Sequence, residues 1–129
     1  MSIRIVQLGK PKKRGEGVRL GTVRRPPRGV PRNRDAAEGY FDVWLPNLAP
    51  SAQLINRLRE QTDSMAWKRF TSAYRAEMSR PENSRLLDAL AALSKSTNFS
   101  VGCYCEDERR CHRSILRKIL KEHKAVVAN

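Results

Sequence analysis

The sequence predicts an α/β fold: a single compact three-layer domain with a short, largely parallel sheet flanked by helices. Three observations carry this expectation. Short β-branched segments lie near residues 3–8, 18–23 and 99–105. Amphipathic stretches with a 3.6-residue apolar period separate the later ones. At 129 residues the chain is one domain's worth, 1–129, long enough for a core without disulfide or metal staples.

Hydrophobic residues make up 40% of the chain and charged residues 30%, an ordinary balance for a soluble globular protein. The longest apolar runs fall far short of the roughly 20 residues a membrane helix needs, so no membrane partner is expected. Met1-Ser2-Ile3-Arg4-Ile5-Val6 turns basic without the apolar core expected of a signal peptide, so a cytoplasmic protein is expected. Three cysteines, an odd number, then read as reduced thiols rather than a disulfide framework.

Taken in order, Ile3-Arg4-Ile5-Val6-Gln7-Leu8 is a strand stopped by Gly9 and Pro11. Residues 10–17 form a basic turn. Val18 to Val23 is a second strand, with Val18, Leu20 and Thr22 on one face. Arg24-Arg25-Pro26-Pro27-Arg28-Gly29-Val30-Pro31-Arg32 cannot be helix, because its prolines lock φ and remove donors. It reads as a stiff loop whose guanidinium forks suit carboxylate or phosphate, or alternatively as a solubilising surface loop. Residues 40–45 read as a short strand or extended segment in which Trp44 anchors the core. Ser51 caps a helix carrying Leu54, Ile55 and Leu58, and that helix start can face an anion. Asp63 or Ser64 caps the next helix, 65–79, striped by Trp67, Phe70, Tyr74 and Met78. Pro81 begins another, 82–95, with Leu86, Leu87, Leu90 and Leu93 as its buried stripe. Residues 99–105 make the last strand and 111 to about 123 the last helix, buried through Ile115, Leu116, Ile119 and Leu120.

Charge is distributed unevenly. Residues 1–34 hold eleven lysines and arginines against Glu16 alone, so they carry +10 of the formal +13. Such a field suits a solvated surface, a nucleic acid or a smaller phosphorylated ligand. The chemistry-bearing residues concentrate instead at the last strand–helix junction, where open α/β sheets collect ligands. All the cysteines lie there, with His112 and Arg113. Alternation sets Cys103 and Cys105 on one strand face, and His112 projects from the helix start toward the sheet, making Cys105 a candidate neighbour.

Several readings of the junction follow. A helix start lowers a cysteine pKa and binds anions, which would make Cys105 or Cys111, with His112 and Arg113, a reactive or phosphate-binding pocket. Cys103-x5-Arg109 and Cys105-x4-Arg110 have the spacings of tyrosine-phosphatase and rhodanese loops. Glu106, Asp107 and Glu108 fill that loop with negative charge, however, and its glycines are missing. Cys103, Cys105, Cys111 and His112 are the right donor types for zinc, but Cys-x-Cys is not a knuckle spacing. A Cys105–Cys111 redox pair needs Cα atoms within about 7 Å. The structural alternative makes Cys103 a core thiol and His112 a cap.

Four motifs together resemble the DUF-488 family of uncharacterised bacterial and archaeal proteins, near its YeaO-like branch. They are Arg24-x-x-Pro27-Arg28-Gly29-Val30, Asp42-x-Trp44-x-x-x-Leu48-Ala49-Pro50-Ser51, Phe70-x-x-x-Tyr74-Arg75-x-Glu77, and Cys105-Glu106 with Cys111-His112-Arg113. The similarity runs from about residue 3 to 121. It implies a compact three-layer α/β fold and brings no assigned activity. Pro26 stands where the family often has Trp, and the N-terminal arm is unusually basic. The resemblance implies that the arginine loop and the Cys-His-Arg junction line one pocket.

The leading expectation is therefore a cytoplasmic protein with a pocket for an anionic, phosphorylated ligand. Arg24, Arg28, Ser51 and Arg113 would bind charge, His112 would serve as acid/base or donor, and Cys105 or Cys111 would be the reactive thiol. A nucleic-acid-binding module using the basic arm is the rival class, and a zinc-binding domain the further alternative. The sequence names no cofactor, substrate or oligomeric state.

Overall fold

The computed structural model describes residues 1–25 and 40–128. Strands β1 (Ile3–Gln7), β2 (Val18–Gly21) and β3 (Val43–Trp44) precede helices α1 (Ala52–Glu60), α2 (Ala66–Met78) and α3 (Pro81–Leu93). Strand β4 (Phe99–Cys103) and helix α4 (His112–Glu122) follow. The proline-stiffened part of the arginine loop, including Arg28, lies outside the described residues. Among the described residues, no helix is long and apolar enough to cross a membrane.

The sheet runs β1-β4-β2-β3, and every pairing is parallel. Parallel neighbours need long crossovers, and the chain between β3 and β4 supplies one through three helices. The last strand thus inserts between the first two, and all five of its residues are buried, as a central parallel strand requires. The register Ile3–Phe99, Ile5–Val101 and Leu20–Val101 sets Phe99, Val101 and Cys103 on one face; Arg4, Arg19, Ser100 and Gly102 share the other.

The first face receives the helices. Leu54 of α1, Tyr74 of α2, Leu87 of α3 and Leu116 of α4 meet Ile3 and Val101 in one apolar cluster. The aromatic stripe of α2 is core: Trp67 stacks on Phe70 at 5.2 Å, and the buried Tyr74 donates its hydroxyl to Leu48 O at 2.6 Å. The opposite face is covered, among the described residues, by chain rather than helix. Glycines make room for it: a Cβ on Gly21 would lie 2.4 Å from the Phe41 ring, and one on Gly102 would lie 2.7 Å from Leu8. Gly17, at φ +81°, passes so close to β4 that a Cβ would fall 2.0 Å from Asn98 O.

The most buried charge among the described residues closes this face. Glu16 is 1% exposed and Arg19 2%. The Glu16 carboxylate accepts from Arg19 Nε at 2.7 Å, Arg19 Nη2 at 3.0 Å, Ser100 Oγ at 2.6 Å and Lys13 N at 3.2 Å. Burial opposes its charge, but the bonds from Arg19, Ser100 and Lys13 outweigh burial and lower its pKa to about 2.

Two expectations shift in detail. Of the short strand or extended segment expected over 40–45, only β3 pairs, because Pro46 ends pairing and Phe41 turns onto Gly21. In α3, Leu93 is 50% exposed, and the buried face runs instead through Asn83, Leu87, Leu90 and Ala91.

Removing one partner of a buried pair strands the other charge. Glu16→Ala is therefore expected to lose roughly 3–5 kcal/mol of stability in urea unfolding. Because the folded pKa is depressed, the Glu16 contribution is full above the unfolded value and disappears as pH falls. Acid titration should show wild-type stability declining between pH about 4.5 and 2, with a shallower slope in Glu16→Gln.

Candidate functional site

Three local features build the site at the carboxyl end of β4. The strand ends at Cys103, and Tyr104 and Cys105 lead out of the sheet. A single 3-10 turn, Glu108–Arg110, follows, capped by Asp107, whose carboxylate accepts from Arg109 N at 3.0 Å. Cys111 then starts α4, so the turn folds the chain back over the strand end.

The fold gathers the junction residues closely. Cys103 Sγ lies 3.7 Å from Cys105 Sγ, and Cys111 Sγ lies 3.7 Å from His112 Nδ1. The ligand atoms of Cys103, Cys111 and His112 all fall within 4.8 Å of one another. Cys103 and Cys111 are buried in a second apolar cluster with Leu8, Val23 and Phe41, whereas Cys105 is exposed. All three thiols are free.

His112 is held rigidly. Its Nε2 lies 2.8 Å from Thr22 O, and a carbonyl can only accept, so Nε2 carries a proton. Nδ1 is the nitrogen turned to the Cys111 sulfur. The Tyr74 ring meets the imidazole edge-on at 5.6 Å, fixing its plane.

The thiols differ electrostatically. The Cys103 thiol donates toward Cys105 and Cys111, and burial also favours its protonated form, so its pKa rises. The same bonds lower its neighbours. Cys111 falls through Cys103 and then His112. Cys105 falls to about 3 through bonds from Cys103 and Cys111, with the Arg113 charge adding to them.

Arg113 is 3% exposed; its Nη2 donates to Cys105 O, while its Nε is buried without a partner. The structure thus places this cation behind Cys105 rather than on open surface. The acidic loop is partly neutralised: Asp107 pairs with Arg109, and Glu108 with Arg117 at 2.8 Å.

The other expected residues lie nearby. Arg24 donates to Pro50 O and Ala49 O, each at 3.0 Å, tying the residues before α1 to the end of β2. Ser51 Oγ accepts from Leu54 N, and Ser51 N donates to Glu77 Oε1, so a carboxylate already occupies this helix start. The fold brings Arg24 and Ser51 together, and Thr22 links their corner to His112. Arg28 falls outside the described residues. Sequence reasoning did not find Thr22, whose contribution is a backbone carbonyl, and did not place Tyr74, part of an aromatic stripe, beside His112. Cys103 it assigned to the core, and the fold brings that thiol to Cys105 as well.

The protein-family model described as "DUF488-N3a: Active DUF488-N3 subclade" matches residues 3–124. No curated protein and no solved structure matches the chain.

The thiol gradient has a direct consequence. Alkylation by iodoacetamide, mapped by mass spectrometry, is expected to modify Cys105 at pH 5–6, well below the ordinary thiol pKa of about 8.5. Arg113→Gln should move that pH profile upward, since the cation favouring the thiolate is gone.

Proposed function

The chain belongs to the DUF488 family, and from that premise we infer that it is an enzyme whose nucleophile is the Cys105 thiolate, acting on an anionic, phosphorylated substrate. One observation carries this reading. Cys105 is an exposed thiol flanked by a buried thiol at 3.7 Å and backed by a buried guanidinium. A nucleophile needs that combination of access and stabilised negative charge. Cys105 Sγ forms a bond to the electrophilic atom; the leaving group departs with the bonding pair and takes a proton from solvent at the exposed mouth. Cys111 and His112 position the network from behind.

The basic segment supports an anionic substrate. Tyr104, next to Cys105, donates its hydroxyl to Arg25 O at 3.3 Å, which ties the start of the arginine loop to this junction. Arg24 and Arg28, on that segment, are the charge-binding residues in this reading. A reducing compartment such as the cytoplasm keeps the thiols free.

A second reading rests on the donor set. Zn–S bonds of about 2.3 Å imply tetrahedral edges of about 3.8 Å, close to the 3.7 Å between Cys103 and Cys105. The hydrogen bond from His112 Nε2 to Thr22 O also resembles the outer-shell contact that orients a ligating imidazole. Cys103, Cys111 and His112 Nδ1 would hold the cation, with Cys105 as the fourth donor.

Competing electrophiles separate these readings. On native protein with its metal content measured, iodoacetate should react with Cys105 faster, relative to iodoacetamide, than it does with a free cysteine peptide. That preference should vanish in Cys105→Ser. A ratio equal to the peptide's would overturn the anionic pocket. One zinc per chain, with all thiols slow until a chelator is added, would establish the metal site instead.

A further inference from the structure

A separate site lies on the sheet face away from the helices. A cavity of about 520 Å³ opens beside β1, walled by Arg4, Lys10, Lys13, Glu16, Arg19 and Arg117. None of the cysteines, nor His112 or Arg113, contributes to its lining.

Its charges divide by occupation. Arg19 is engaged by Glu16, and Arg117 by Glu108 and by Ala128 O. Among the described residues, Arg4, Lys10 and Lys13 have no ion pair. The carboxylate in the wall, Glu16, is already bonded by Arg19, Ser100 and Lys13 N. Arg4 Nη1 is buried without any hydrogen-bond partner. A buried charged donor left unmade is expensive, and an oxyanion beside this guanidinium would offset that cost.

The backbone adds donors of the same kind. Ser2 O and Leu8 N bond to β4, whereas Ile3 N and Ile3 O bond outward to Val126 and Ala128. By alternation along a parallel strand, the Ile5 and Gln7 amides also face outward, beyond the reach of the short bridge between Ile3 and Val127. Ile5 and Gln7 line the same cavity.

We propose that this cavity is an oxyanion site for a compact phosphate-bearing ligand, held by Arg4 and closed by Lys10 and Lys13. An arginine of β1, two residues of its open edge and two lysines of the covering loop line one concavity. That is the donor arrangement multidentate oxyanions require. Concavity and the enclosed anchor favour a small ligand over an extended polyanion, which needs a groove that tracks its backbone. This site stands apart from the thiol site and does not depend on it.

Calorimetric titration with inorganic pyrophosphate tests it. Wild-type protein should bind, and Arg4→Gln should weaken binding about tenfold or more while leaving Tm unchanged or raised, because the orphan charge is gone. Lys10→Gln with Lys13→Gln should weaken binding independently, and Cys105→Ser should leave it intact. Absence of binding at about 10 mM pyrophosphate, or equal affinity in Arg4→Gln, would overturn the proposal. So would a protein that takes up only oligonucleotide, with its salt slope reduced by the lysine changes and untouched by Arg4→Gln.

Discussion

The ion pair between Glu16 and Arg19 is the interaction on which the arrangement of the sheet depends. Its carboxylate reaches Ser100 on the central strand, and its guanidinium also donates to Lys10 O in the covering loop. The backbone of the same arginine exchanges hydrogen bonds with Asp42 at the entry to β3, each at 2.8 Å. One pair therefore joins β2, β4, the approach to β3 and the segment between the first two strands. Placing both charges in a sheet face demands full hydrogen bonding, since a half-satisfied pair would be worse than an apolar plug. Gly17, Gly21 and Gly102 supply the close approach that makes this geometry reachable.

That back-face arrangement frees the other face for apolar packing, and the candidate site appears where the packing ends. Phe99 and Val101 belong to the main core, and Cys103 continues the same strand face into the second cluster. Cys103 and Cys111 thus serve two purposes, filling volume as small apolar groups and donating to the exposed thiol between them. His112 cannot rotate to follow a ligand, because Thr22 O and the Tyr74 ring fix it. The same imidazole keeps Nδ1 against Cys111 Sγ at 3.7 Å.

The formal +13 is not one field. Arg19 and Arg117 are engaged with carboxylates and act as structural ties. Arg113 sits inside the fold, where its charge bears on a thiol rather than on solvent. Arg4, Lys10 and Lys13 face a cavity. A basic arm read as a single electrostatic surface resolves into residues with distinct tasks, because burial and pairing screen some charges and leave others available.

Local chemistry was legible in the sequence. The cap at Ser51, the stripe through Phe70, Tyr74 and Met78, the helix start at Pro81 and the Cys-His-Arg junction follow from period, capping and proline geometry. These effects act over a few residues, so the order of elements and the α/β class emerge without knowledge of the fold. The tertiary structure alone decided which strand lies in the centre. From that come the meeting of Glu16 with Ser100, of His112 with Thr22 and of Arg4 with the covering loop. Each joins residues distant in the chain, and strand order and register set their distance; no local period encodes either. The burial of Glu16 and Arg19 shows the limit most plainly. Their i,i+3 spacing looks like an ordinary exposed pair until the fold closes over it.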